Sequence, residues 1–257
     1  MLSVVCPVYN EADNIGRLFD ELRTKVSVPL EVLVVYDTEE DNTLPVVRAV
    51  AASYLFEIRL VKNRLGAGAL NAIKTGFCES RYDAVLVVMA DLSDDLSIVD
   101  EMYRLVTVEG FDVVGGSRYA PGGRHVGGPR FKKFLSKLAG LSLHRIAGLP
   151  VCDVTNSFKM YRRAFLRSVT LESTGGFEIG MELVVKAFVH GGRITELPTT
   201  WTDRTAGQSR FRLWKWLPHY LRWYVYAFRG LGSTCRRRGP AAGGQGQERP
   251  GGAQEKI

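Results

Sequence analysis

Apolar, β-branched runs recur through the first half of the chain at LSVVCPV (2–8), EVLVVY (31–36), FEIRLV (56–61), AVLVVM (84–89) and FDVVGG (111–116). Such continuous runs predict strands of a sheet covered on both faces. The stretches between them carry a helical period. A helix beginning near Asp13 puts Ile15, Leu18, Phe19 and Leu22 on one face, and another begins at Thr43 with Pro45 in its first turn. Strand and helix in alternation predict an α/β, Rossmann-like fold with a mainly parallel sheet flanked by helices.

After residue 117 the pattern changes. SRYAPGGRHVGGPRFKK is rich in Gly and Arg and reads as a loop suited to act as a lid, followed by a helix through 131–147. Helix GMELVVKAFVH and strand GRITELPTTW come next. RFRLWKWLPHYLRWYVYAFRG is too short and too charged for a clean membrane span. Trp214, Leu217, Leu221, Val225 and Phe228 form one apolar face with aromatic and basic residues at its border. Two readings fit this pattern: a helix at a membrane interface, or a helix packed on the preceding domain. The expected organisation is one domain over 1–211, an amphipathic helix over 212–230 and a low-complexity, disordered tail over 231–257.

In sheets of this kind ligands bind beyond the carboxyl ends of the strands. Here those ends read Tyr9-Asn10-Glu11, Asp37, Lys62-Asn63-Arg64 and Asp91, so four strands deliver polar residues to one edge. The charge distribution sharpens the picture. Residues 1–117 carry 10 Lys/Arg against 19 Asp/Glu, and residues 118–257 carry 24 against 8, so halves of −9 and +16 make up the net +7. An acidic half suits a cation and a basic half suits phosphates, nucleic acid or an anionic membrane. A substrate carrying both metal and phosphate would suit both. The basic residues follow Gly-rich loops instead of lining one helix, which argues against a nucleic-acid-binding module. Cys6, Cys78, Cys152 and Cys235 are scattered, without paired or metal-ligand spacing, and the first residues show no leader pattern. The expectation is a reducing, cytoplasmic setting.

Eight segments in order, VVCPVYNEADNI, the strand ending at Asp37, NRLGAGALNAIKTGF, MADLS, GGSRY, DVTNSFKMYRR, GFEIGMELVVKA and DRTAGQSRF, resemble the GT-A glycosyltransferases of family 2. The resemblance is to the dolichyl- or polyprenyl-phosphate mannose synthase type and covers residues 2–211. It implies a GT-A fold and a nucleotide-sugar donor, GDP- or UDP-hexose, with Pro7, Tyr9, Asn10, Glu11, Asp37, Asn63 and Gly66 lining the nucleotide. It also implies Mg²⁺ or Mn²⁺ held by Asp91, with Ser93 or Asp94 as a further contact. Met89-Ala90-Asp91 stands where family members usually show Asp-x-Asp, so one acid is missing. Arg118 matches an arginine near an acceptor phosphate, with Arg130 or Lys132 joining it. Arg204 and Arg210 fall where the family closes a basic loop over the leaving diphosphate.

The expected activity is transfer of one hexose, with inversion, to a polyprenyl phosphate at the cytoplasmic face of the membrane, without nucleic acid as a partner. Two alternatives share the fold. One is a hydroxyl acceptor with Glu178 or Glu182, four apart on one helix face, as general base. The other is a catalytically silent nucleotide-sugar binder. A phosphate acceptor needs no base, and the Gln-x-x-Arg-Trp motif of processive family 2 synthases is absent from the sequence. Both points favour a single sugar moved to a lipid phosphate.

Overall fold

In the computed structural model, residues 1–203 and 213–230 are described, without the side chains of 213–215 and 230. The sequence-predicted strands form where expected: β1 Leu2–Pro7, β2 Leu30–Tyr36, β3 Glu57–Lys62, β4 Ala84–Val87 and β5 Val113–Ser117. They alternate with helices α1 Ala12–Lys25, α2 Thr43–Val50, α3 Ala69–Glu79 and α4 Val99–Thr107. Then follow β6 Arg124–Val126, α5 Arg130–Ser142, β7 Lys159–Arg162, α6 Arg163–Ser168, α7 Ile179–Val189, β8 Ile194–Pro198, β9 Thr200–Thr202 and α8 Leu213–Ala227. A π-helical turn, Leu143–Ala147, carries α5 on to the end expected from the sequence.

The main sheet has seven strands in the order β3-β2-β1-β4-β7-β5-β8. All neighbours pair in parallel except β7, which runs antiparallel to both β4 and β5. Side chains alternate across each strand and so build two cores. Leu2, Val4, Cys6, Val32 and Val34 join Ile15, Leu18, Phe19 and Leu22 of α1 on one face. Val5, Leu33, Val35, Val85 and Val87 meet α3 and α7 on the other. Strand β3 lies at the sheet's edge and is only partly buried, which accommodates the polar Glu57 and Arg59.

The chain moves outward from β1 to β2 and β3, then crosses back to place β4 on the other side of β1. The connections leaving β1 and β4 therefore diverge, and a crevice opens between them at the carboxyl edge. That topology sets where the polar strand ends can act together.

Two expectations for the second half change. The Gly-rich stretch contains a strand, β6, and the run GRITELPTTW splits at Thr199 into β8 of the main sheet and β9 of a two-stranded ribbon with β6. Thr199 serves both, its N–H donating to Ser117 O at 2.9 Å and its carbonyl accepting Arg124 N–H at 2.9 Å.

Helix α5 seats closely against the segment before β7. A Cβ at Gly140 would lie 1.9 Å from the carbonyl oxygen of Cys152, which is backbone and yields little. Gly140→Ala is expected to lower the unfolding free energy by ~1–3 kcal/mol through overpacking, measured by urea denaturation. Gly16→Ala, where a Cβ meets nothing within 4 Å, serves as the permissive control.

Candidate functional site

The loops after β1, β2 and β3 are hydrogen-bonded into one surface. Asp37 accepts from Asn63 Nδ2 (2.8 Å) and from Gly68 N–H (2.8 Å). Asn63 in turn donates to Gly66 O (2.7 Å) and accepts from Leu65 N–H and Thr75 Oγ1. The backbone winding around Asn63 needs φ of 101° at Gly66 and 117° at Gly68, a region open to glycine. Pro7 is buried at the end of β1, while Tyr9, 46% exposed, Asn10 and Glu11 face outward or partly so. The Cys6 thiol is pushed up by burial and then by the charges of Glu11 and Asp91. Both carboxylates are therefore within electrostatic reach of the end of β1. The structure thus brings together the residues expected to line a nucleotide.

Beyond β4, Asp91 accepts from Ser93 N–H (3.2 Å) and Ser93 Oγ (2.6 Å). This tight turn sets Leu92 at φ 59°, a strained conformation for a bulky residue. Asp94 is buried, and neither of its carboxylate oxygens has a hydrogen-bond partner among the described residues. Burial, reinforced by the neighbouring Asp91, raises its pKa to about 7. Two adjacent buried acids, one lacking any donor, suit a hard divalent cation that takes oxygen ligands. Among the described residues no cluster of three or more His, Cys, Asp or Glu could hold a metal. Asp91, Ser93 and Asp94 would hold it only with substrate oxygens completing its shell. Asp95 is a helix cap, its Oδ1 accepting Ser97 N–H at 3.1 Å.

On the other side of the crevice Arg118, its side chain 10% exposed, is forked onto the fully buried Asp153. Nε donates to Oδ2 (2.7 Å), Nη2 to Oδ1 (2.9 Å), and Nη2 also reaches Thr155 Oγ1 (2.9 Å) and Ser136 Oγ (3.2 Å). Burial alone would lift Asp153, but Arg118 more than reverses this and holds it at about 2. Arg118 lines a cavity of about 420 Å³ between α5 and α8. Lys132, Lys133 and Ser136 stand on one wall with Leu135 and Ala139; Leu217, Tyr220, Leu221 and Tyr224 form the other; Met181 and Phe177 close the floor. His125 and Trp201 stand at its rim, edge to face at 4.7 Å. Burial, then the charges of Arg118 and Lys133, lowers His125 to about 4, so its ring is neutral near pH 7. A larger cavity of about 660 Å³ around Asp112, Arg162, Glu172 and Lys186 is lined by charges that already pair with one another.

Several expectations need correction. Glu178 and Glu182 are fully buried, and their oxygens are occupied by backbone N–H groups. Glu178 takes those of Gly175 (2.7 Å) and Gly176 (2.5 Å); Glu182 takes those of Glu172 (2.6 Å) and Ser173 (2.8 Å) and pairs with Lys186. They shape the loop before α7, and neither is placed to act as a base. Lys132 lines the cavity, whereas Arg130 is exposed at the start of α5 and does not. Arg204 and Arg210 lie outside the described residues, as do the side chain of Trp214 and the tail over 231–257. Asp153, Ser136 and Thr155 were not singled out from the sequence. Asp153 and Thr155 sit in DVTNSFKMYRR, a segment whose position in the fold only the long-range pairing of β7 reveals.

The family model "Glycosyl transferase family 2" matches residues 3–170. The chain is 30% identical over 212 residues to an undecaprenyl-phosphate mannosyltransferase of Micrococcus luteus, covering 80% of this chain and 85% of that one. It is 28% identical over 229 residues to a dolichol-phosphate mannosyltransferase of Pyrococcus furiosus, covering 86% of this chain but only 63% of the relative's length. Among solved structures, glucosyl-3-phosphoglycerate synthase of Mycobacterium tuberculosis, in complex with Mn²⁺, UDP-glucose and phosphoglyceric acid, superposes with a TM-score of 0.65 at 19% identity. The match covers 90% of this chain and 80% of that one and shows a shared GT-A fold.

The raised Asp94 has a defined consequence for stability. The folded form holds its proton up to about pH 7, the unfolded form only to about 4. Folding therefore becomes less favourable as pH rises across that window, by at most about 4 kcal/mol. In metal-free protein, urea denaturation at pH 5 and pH 8 should show this fall, and Asp94→Asn should flatten it.

Proposed function

The chain belongs to glycosyl transferase family 2, and on that premise we propose that it moves a single hexose, of mannose or glucose type, from a nucleotide sugar to a polyprenyl or dolichyl phosphate. The observation that carries this reading is the cavity between α5 and α8. Its lining sets aliphatic and aromatic side chains of α5 and α8 beside the polar Arg118, Lys132, Lys133, Ser136 and Thr155, with His125, Asn156, Ser157 and Asp203 also facing it. An apolar chain ending in a phosphate matches that lining; a small hydrophilic alcohol does not. The curated relatives are named for lipid-phosphate acceptors, which supports the same choice.

The roles follow from position. Tyr9, Asn10, Glu11, Asp37, Asn63 and Gly66 hold the nucleoside of a GDP- or UDP-sugar. Asp91, Ser93 and Asp94 would hold Mg²⁺ or Mn²⁺, which would supply positive charge to offset that on the diphosphate. Arg204 and Arg210 are assigned to the same departing group. Arg118 keeps Nη1 outside its contacts with Asp153, Ser136 and Thr155, and that edge meets the acceptor phosphate. Asp153 fixes the fork so that the guanidinium does not reorient when the acceptor arrives. An acceptor phosphate oxygen then bonds to the anomeric carbon from the face opposite the diphosphate, whose bond to that carbon breaks with inversion. The phosphate is anionic before it attacks, so no side chain need remove a proton. The locked states of Glu178 and Glu182 agree with this and leave the hydroxyl-acceptor alternative without its base.

The acceptor's hydrocarbon would come from a membrane surface. Trp223 and Ala227 of α8 are buried against the domain while Leu221 and Val225 are exposed, so one face of the helix packs on the domain and another is left open to the surroundings. Helix α5 extends the exposed apolar surface with Phe131, Phe134 and Leu138, and Ile146 follows; these six side chains are 51–67% exposed. Exposed Arg130, Lys137 and Arg145 accompany them, as in interfacial helices that meet anionic headgroups. No helix among the described residues is long and apolar enough to cross a membrane. We infer a peripheral enzyme at the cytoplasmic face of the bilayer, with α5 and α8 toward the lipid.

Two measurements test these assignments. With Mn²⁺ and a donor identified by thermal shift, transfer to a short polyprenyl phosphate should exceed transfer to 3-phosphoglycerate or to a polyprenol by about tenfold or more, and Asp91→Asn should abolish the Mn²⁺-dependent part of donor binding in calorimetry. Donor binding without turnover on any acceptor would establish the silent binder instead.

In vesicle co-sedimentation, Phe134→Ser with Leu138→Ser and Leu221→Ser should weaken binding to anionic bilayers by about tenfold or more while the melting temperature stays close to that of the parent. Equal sedimentation of parent and variant would remove the membrane assignment.

A further inference from the structure

The turn between β1 and α1 is held from outside by three consecutive side chains, and this clamp has no place yet in the proposed reaction. Asn10 sits at φ 56°, which for a residue other than glycine costs roughly 1 kcal/mol unless its surroundings enforce it. Its N–H donates to Asp41 Oδ1 (3.1 Å), and Asn42 N–H donates back to Asn10 Oδ1 (3.3 Å). The next two N–H groups of the turn are taken in the same way. Glu11 N–H donates to Thr43 Oγ1 (2.9 Å) and Ala12 N–H to Asn42 Oδ1 (3.3 Å). Asp41 is itself buried, 3% exposed, and the same Oδ1 also accepts Thr43 N–H at 2.8 Å.

We propose that Asp41, with Asn42 and Thr43, is a positioning device for donor binding: it fixes the backbone from Asn10 to Ala12 so that Tyr9 and Glu11 present their side chains to the nucleoside. This rests on the nucleotide reading of that turn. The start of a helix ordinarily offers free N–H groups to an anion. Here those of Asn10, Glu11 and Ala12 are already satisfied by side chains. These three N–H groups are therefore taken, which leaves the diphosphate to the β4 side of the crevice, where Asp91, Ser93 and Asp94 lie. The clamp separates the two halves of the donor: nucleoside against the β1 turn, diphosphate against the β4 turn.

A bland alternative is that Asp41 only caps α2 through Thr43 N–H. The two roles differ in what a variant loses. A cap lost alone lowers stability without changing the affinity of folded protein for ligand, whereas a lost positioning contact weakens nucleotide binding in protein that is still folded.

Calorimetric titration of the full chain with UDP and with GDP, each with Mn²⁺, separates them. Asp41→Ala should raise the dissociation constant of the bound nucleotide about tenfold, and Asp41→Asn, which keeps an oxygen at the Oδ1 position, should stay within roughly threefold of the parent. With the cognate sugar nucleotide, the loss should appear in the donor KM while kcat at saturating donor changes little. Thr43→Val removes the acceptor for Glu11 N–H while leaving the Asp41 cap in place, so it tests the clamp even where Asp41→Ala does not fold; it should raise the dissociation constant by roughly threefold. Unchanged nucleotide affinity in folded Asp41→Ala, or in Thr43→Val should the former not fold, would overturn the proposal and leave a helix cap. A folded parent that binds neither nucleotide would overturn the nucleotide reading, and the clamp's role with it.

Discussion

The pairing of Arg118 with Asp153 is the contact on which the second half of the site depends. Both side chains are removed from water, a loss that only close, well-oriented bonds offset. The fork is bidentate, and Ser136 and Thr155 take further donors from the same guanidinium. These bonds join the end of β5, the helix α5 and the segment before β7, three pieces distant in sequence. The pair therefore fixes one part of the cavity lining and, being neutral as a pair, leaves the positive charge of that lining to Lys132 and Lys133. Lys159, buried nearby, is lowered to about 8 by that burial, so the ion pair sits in a region where charge is already costly.

The two charge halves of the sequence acquire a physical division of labour. The acidic half supplies the strand ends around Glu11, Asp37, Asp91 and Asp94, and the basic half supplies Arg118 and the lysines of α5. The two meet across the crevice opened by the crossover from β3 to β4. A nucleoside diphosphate bound to a cation and a phosphate acceptor bound to cationic side chains would approach each other there from opposite walls. Repulsion between the two anions is offset on each side by a different means.

Much of this was legible in the sequence. Apolar runs give buried strands wherever the sheet is covered on both faces, so β1 to β5 appear close to where the pattern puts them. Polar residues immediately after such strands are forced to one edge by the parallel topology, which is why Tyr9, Asp37, Asn63 and Asp91 could be placed at the same edge from the pattern alone. What could not be read were partners. The spacing of Glu178 and Glu182 shows that they share a helix face, but not that backbone N–H groups of 172–176 point at them. The Gly-rich stretch hides β6 because pairing with β9 depends on residues some seventy positions away. Asp153 and Asp41 resemble ordinary turn acids until the fold shows what each of them holds. Relatives of similar sequence add the family, while the distant structures add the shared fold and leave the chemistry of individual residues to the site itself.

The contact between Gly140 and the Cys152 carbonyl has a consequence for how acceptor preference could diversify. With no space for even a methyl group between them, α5 is a fixed jaw. The opposite jaw, α8, contains Pro218, which removes one of its internal backbone donors, and presents Leu217, Tyr220, Leu221 and Tyr224 to the cavity. A change in the calibre of the slot would then come from the size of the side chains that line it, Leu135 and Ala139 on α5 as well as Leu217, Tyr220, Leu221 and Tyr224 on α8, and not from a shift of α5 itself.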